Sequence, residues 1–361
     1  MPGSAQRTGV ANLPLHYGKV PPWLFGRMSQ LAREITVVIV DEFGTEEMLR
    51  RLSDPFWFQA LGCVLGYDWH SSGVTTTVCG ALKEGIRGLE KELGLFVAGG
   101  KGRTSRKTPV EIEKYGHLLR VNPSPLIYAS RMSAKVDNSA LQDGYQLYHH
   151  TFFFSNEGSW AVIQQGMNEL NRYARRYHWL GEKVTDFVCE PQSAICSQGR
   201  GEALNLVASE STKARNTIAH VATEEKPYRI VTQLNKLKTL NLPRRSYIML
   251  EDIHPDRLAR IFPIAYERQP QNFESLLGLE GVGPKTLRAL SLISELVYNT
   301  PVSLRDPASY SFAHGGKDGH PYPVDRKTYD SSIQFLAQAL DKAKIGDKEK
   351  LEALRRLKTW Q

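Results

Sequence analysis

Residues 145–167 read YQLYHHTFFFSNEGSWAVIQQGM, and the pattern in this stretch decides the fold class. The run YQLYHHTFFFS is dense in aromatic and β-branched residues, the composition of a strand. Asn156-Glu157-Gly158 forms a turn-like triplet, and SWAVIQQGM then gives a second strand-like run. Two such runs joined by a short glycine-bearing loop predict an antiparallel hairpin. The flanking sequence has a different period. Over residues 21–53, Leu24, Met28, Leu31 and Ile35 recur at helical spacing after Pro21-Pro22. A helix is expected from Ser72 to Gly94, and another in TPVEIEKYGHLLRV, where Thr108 and Glu111 stand at capping-box spacing. Residues after 190 read as loop, then as helix from about Ser209, and the chain beyond Tyr228 as nearly all helix. The expected class is α+β and mainly helical. A small antiparallel sheet falls in an N-terminal domain, 1–225, and an all-helical C-terminal domain covers 226–361.

The chain has 361 residues, more than one typical domain of roughly 100–200 residues. A hydrophobic fraction of 41% and a charged fraction of 23% exclude a disordered tail, a collagen-like repeat and a bare coiled coil. Lys and Arg number 46 against 38 Asp and Glu, a net charge of +8 that favours a polyanionic partner. The first thirty residues hold no apolar run suited to a signal peptide, and the longest apolar stretch, 35–40, is too short for a membrane span. A cytoplasmic address and no membrane partner are expected. Cys63, Cys79, Cys189 and Cys196 form no CxxC pair, so buried thiols are the plain reading.

The most specific local motif is FESLLGLEGVGPKTLRALSLISELV, residues 273–297. A short helix ends at Leu279, Gly281-Val282-Gly283 makes a tight turn, and Pro284 opens a second helix. Exposed amides at that helix start suit a phosphate, with Lys285, Thr286 and Arg288 beside them. This stretch resembles the helix-hairpin-helix motif of DNA repair proteins, which implies that Gly281, Gly283 and their neighbours bind a DNA backbone without reading sequence. It is also similar to the helix-hairpin-helix glycosylases with lyase activity. That resemblance implies a Schiff-base role for Lys285 and a carboxylate role for Asp325 in Pro323-Val324-Asp325. The connection between them is longer than in those enzymes, and their cysteine cluster is absent.

Chemistry-bearing residues gather at Asp143, His149, His150, Glu157 and Gln165. Strand pairing around the 156–158 turn brings some of them together, and Asp143, His150 and Glu157 form a candidate set for Mn or Mg. His149 and His150 point to opposite faces of a regular strand, so only one lines a given site without a bulge. Asp68-Trp69-His70 is a second acid–His candidate. If RYARRYHW is helical, Arg172, Arg175 and Arg176 share a face with Trp179 and offer a phosphate stripe. Lys101 and Arg103, with Arg106 and Lys107, make another basic patch, and GGKGR lacks the spacing of a nucleotide P-loop. FAHGGKDGHPYPVD supplies an alternative site from His314, Asp318, His320 and Asp325.

Blocks over much of residues 7–330 (RTGVANLPLHYGKVPPWL, DPFWFQALGCVLGYDWHSSGVTTTVCGALKEG, LYHHTFFFSNEGSWAVIQQGMN, RYARRYHWL and SFAHGGKDGHPYPVDRKTYD) resemble the prokaryotic family known as domain of unknown function 763. The resemblance implies a DNA-associated protein, with a place in repair. The expected function is a metal-dependent, structure-specific DNA nuclease. Its alternatives are a glycosylase or abasic-site lyase and a non-enzymatic DNA-binding adaptor.

Overall fold

The computed structural model describes residues 20–66, 72–197, 199–250, 253–309, 326–344 and 346–358. Sixteen α-helices and eight strands make up the described chain. The strands are β1 (Leu95–Lys101), β2 (Leu141–Gln142), β3 (Gln146–Ser155), β4 (Trp160–Asn168), β5 (Tyr173–Leu180), β6 (Ala194–Cys196), β7 (Glu202–Asn205) and β8 (Ser303–Arg305). The helices before the main hairpin are α1 (Pro22–Phe43), α2 (Thr45–Ser53), α3 (Pro55–Val64), α4 (Gly73–Gly85), α5 (Glu90–Leu93), α6 (Thr108–Tyr115) and α7 (Ser124–Lys135). Those after it are α8 (Thr212–Glu224), α9 (Pro227–Lys238), α10 (Tyr247–Leu250), α11 (Pro255–Leu258), α12 (Phe262–Arg268), α13 (Phe273–Gly278), α14 (Pro284–Leu296), α15 (Arg326–Lys342) and α16 (Asp347–Lys358). The mainly helical α+β class read from the sequence is the class observed.

The 145–167 hairpin is the centre of a five-stranded antiparallel sheet of order β1-β3-β4-β5-β6. Phe152, Phe153 and Phe154 are all buried because helices cover both faces of this sheet. On one face Phe152, Phe154, Val162, Tyr177 and Trp179 join a core with residues of α7, α8 and α14. On the other, Phe153, Ala161, Ile163 and Leu180 pack with α1 to α4 and with residues of α15 and α16. The first core runs unbroken from Phe96 through Ile218 and Ile230 to Val302, so the chain on either side of residue 225 shares it. A second sheet, β2-β7-β8, ties residues 303–305 back to 202–205.

Four local expectations change. RYARRYHWL is strand β5 and not a helix, because its alternation ARRYHWL buries residues on both faces of the sheet. The loop-like stretch after residue 190 contains β6 and β7, and the C-terminal half contributes β8, so it is not all helix. Thr108 and Glu111 form no capping box. Glu111 Oε2 instead accepts from the Gly99 amide at 2.8 Å and from Lys83 Nζ at 2.6 Å. A capping box does form at Asn272 and Ser275, the start of α13.

Candidate functional site

The first strands deliver two polar rows to opposite faces of the sheet. Register aligns His150, Gln164 and Tyr177 on one face and His149, Gln165 and Arg176 on the other. The pairing of β3 with β4 slips between Leu147 and His149, which leaves Tyr148 as an inserted residue. Both His149 and His150 border one cleft, although the strand register sends their side chains to opposite faces of the sheet.

That cleft has a volume of about 620 Å3. Its walls are Ser105 and Arg106 of the turn after β1, Ser130, Arg131 and Lys135 of α7, the start of β3, and Gly278 at the end of α13. Among the described residues no carboxylate lines it, and Arg106 and Arg131 are exposed and form no ion pair. Lys101 and Arg103, also exposed, sit at the end of β1 and in the turn beside it, and Lys101 pairs with His149 in the strand register. Of the basic patch read from residues 101–107, Arg106 reaches the lining of the cleft.

At its floor the hydrogen bonds fix protonation states. Gln164 Nε2 donates to Asp137 Oδ2 at 2.5 Å and to the Ser133 carbonyl at 3.2 Å. Its Oε1 therefore faces His150 Nδ1, 2.8 Å away, and can only accept. The Nδ1 atom must carry the proton, so Nε2 is the acceptor for the Ser130 hydroxyl at 2.9 Å. Asp137 also accepts from Trp179 Nε1 at 2.7 Å and from Gln192 Nε2 at 2.6 Å. Burial pushes its carboxyl up to about 8 against these donors.

Both histidines are held neutral. Burial pushes His149 down to about 3, helped by His150 and Lys101, and pushes His150 down to about 4. His149 Nε2 meets Thr151 Oγ1 at 2.9 Å, while its Nδ1 has no hydrogen-bond partner among the described residues. The folded pKa of His149 lies below its ordinary 6.5, so the unfolded chain binds more protons in acid. Stability is complete above 6.5 and is lost as pH falls toward the folded value. Between roughly pH 5.5 and 4, His149→Gln should show a stability–pH slope smaller by about 1.4 kcal/mol per pH unit. Urea midpoints measured across that range test this, and an unchanged slope contradicts it.

The other predicted residues separate. Asp143 lies buried under Arg175 Nη1 (2.9 Å) and Tyr177 OH (2.7 Å), and burial pushes its carboxyl up. Glu157 sits in the β3–β4 turn in an exposed ion pair with Arg120. Gln165, on the face opposite Gln164, donates to the Ser72 carbonyl and to Tyr148 OH. Asp143, His150 and Glu157 are thus not assembled, and among the described residues no three His, Cys, Asp or Glu side chains gather to hold a metal. The divalent-metal set does not fit this geometry. Arg175 and Arg176 are fully buried on opposite faces of β5, Trp179 is buried, and Arg172 occupies a turn at φ 60. These arginines form no phosphate stripe, since strand geometry separates what helical spacing aligns. His314, Asp318, His320 and Asp325, like Asp68-Trp69-His70, lie outside the described residues.

Around residues 281–288 the chain passes from α13 through a turn into α14. Gly281 has φ +84, and α14 begins at Pro284 with no side-chain cap on its first amides. Lys285 is exposed, Thr286 buried and Arg288 half-buried. Lys135 Nζ binds the Leu279 carbonyl at 2.7 Å and the Val282 carbonyl at 2.8 Å, and Gln142 Nε2 binds the Pro284 carbonyl at 3.0 Å. One lysine of α7 therefore joins this turn to the cleft. Sequence reading missed Ser130, Arg131 and Lys135, although Arg131 and Lys135 stand at i, i+4 in SPLIYASRMSAK, one helix face.

No helix of the described residues is long and apolar enough to cross a membrane. No curated protein and no solved structure matches the chain. A family model described as "Protein of unknown function (DUF763)" matches residues 9–324, most of the sequence. By that match the chain belongs to this family.

Proposed function

We propose that this protein binds the phosphodiester backbone of DNA, in the setting of DNA repair, along a track from the 281–288 turn to the cationic cleft. One observation carries the reading. Gly283 has φ −139, and a Cβ built on it would meet nothing within 4 Å. Neither backbone conformation nor internal packing requires glycine there, whereas a polymer seated close against an uncapped helix start does. Exposed Lys285 supplies charge beside it, and the cleft continues it with Arg106 and Arg131.

Gly283→Ala and Gly281→Ala separate binding from folding. Gly283→Ala should keep the wild-type melting temperature and raise the Kd for labelled duplex DNA about fivefold, near 1 kcal/mol. Gly281→Ala should destabilise by about 1–3 kcal/mol, because it strains a positive φ and places Cβ 2.8 Å from Ile261 Cδ1. Fluorescence anisotropy at several salt concentrations gives the first result and thermal unfolding the second. Unchanged affinity in Gly283→Ala, or no salt-dependent binding by the wild type, refutes the proposal.

A further inference from the structure

The geometry points to a metal-independent phosphodiesterase centre in the 620 Å3 cleft, with Ser130 as nucleophile, His150 as general base and Gln164 as the residue that positions His150. The inference rests on the DNA-backbone reading for its substrate class, and its chemistry comes from three features of the cleft. First, Ser130 Oγ and His150 Nε2 lie 2.9 Å apart, within reach of a proton transfer. Second, the chain His150 Nδ1–Gln164 Oε1, Gln164 Nε2–Asp137 Oδ2 holds the imidazole in the one tautomer that can accept the serine proton. Third, Arg106 and Arg131 line the cleft and no carboxylate is among its lining residues in the described chain, so the group brought to Ser130 is an anion.

The step balances without a metal or redox partner. Ser130 Oγ bonds to phosphorus as its proton passes to His150 Nε2. The P–O bond to one sugar breaks, and the leaving oxygen takes that proton. Water then attacks phosphorus and gives one proton to His150. The P–Oγ bond breaks, Ser130 recovers the proton, and a phosphomonoester is released. Arg106 and Arg131 offset the charge that grows on the non-bridging oxygens.

The test uses the full chain in excess chelator with bis(p-nitrophenyl) phosphate, a diester small enough to need no grip from the 281–288 turn. The wild type should release p-nitrophenolate, Ser130→Ala and His150→Gln should lose at least 100-fold in kcat, and trapped protein should carry phosphorus on the Ser130 peptide. Melting curves identify variants that fail to fold, and Ser130→Cys serves in place of Ser130→Ala if that variant does. Nitrogen-15 spectra should show the Nδ1–H tautomer of His150. In Gln164→Met that preference should vanish, with kcat reduced and KM unchanged. No release by the folded wild type, release that survives Ser130→Ala, or an Nε2–H tautomer overturns the assignment. DNA binding by anisotropy is read separately, so failure of the chemistry leaves the binding result standing on its own.

Discussion

Arg175→Met should destabilise the protein by about 3–5 kcal/mol, the cost of breaking a buried ion pair from one side. Arg175 is buried on β5 and reaches three oxygens of two carboxylates: Asp143 Oδ2 at 2.9 Å, Asp306 Oδ1 at 3.0 Å and Asp306 Oδ2 at 2.8 Å. Side-chain exposure is 2% for Arg175, 1% for Asp143 and 3% for Asp306, so water cannot replace the guanidinium. Its plane also lies over the Tyr145 ring at 4.5 Å. Burial works against the charge of Arg175, but Asp143, Tyr177 and Asp306 together hold its pKa above the ordinary value. Without it, two carboxylates are left facing each other in the interior. Typical total stability is about 5–15 kcal/mol, so a single change consumes much of it. Arg175→Lys should recover only part, since one ammonium cannot reproduce the forked contacts. Urea unfolding decides the matter, and a loss below about 1 kcal/mol would show that the cluster contributes little.

Gly99→Ala should be of similar severity, on the order of 4 kcal/mol. Gly99 has φ +88, which costs a residue with a side chain about 1–3 kcal/mol. A Cβ there would also lie 2.3 Å from the His150 carbonyl oxygen and 2.5 Å from Thr108 Oγ1. The first obstacle is backbone and cannot swing away. Lys83 Nζ binds the Gly99 carbonyl at 2.9 Å and Glu111 binds its amide, so the glycine cannot shift either. Gly102, φ +60 with open space around it, is the contrast, and Gly102→Ala should cost about 1 kcal/mol. Thermal unfolding of the two variants tests the difference. Equal melting temperatures would refute it.

The parts of this fold that were legible in the sequence are those with strong local signals. The β3–β4 hairpin announces itself by a run of aromatic residues around Asn-Glu-Gly, and the α13–α14 turn by Gly-Val-Gly-Pro. The failures come from residues whose partners are distant in the chain. Arg172, Arg175 and Arg176 match a helical face and an alternating strand equally well, and only the surrounding sheet chooses between them. Asp143 reads as a catalytic acid until Arg175, 32 positions on, and Asp306 are seen beside it. The register slip at Tyr148 leaves no mark in composition. Ser130 is an ordinary helical serine until β3 sets His150 against it.

Asp306 has a consequence for the order in which the protein is made. Strand β5 leaves the ribosome with Arg175 and Asp143 already present, but the second carboxylate follows 131 residues later. Synthesis proceeds at roughly 5–20 residues per second, so Arg175 waits on the order of ten seconds for its full set of oxygens. Strand β8 and much of the first core arrive in the same late interval. All five strands of the main sheet have been made by residue 196, and they wait for the part of their cover that α14 supplies. During that interval the face that carries Phe152, Phe154 and Trp179 lacks the cover of α14, the window in which a chaperone has the most to hold.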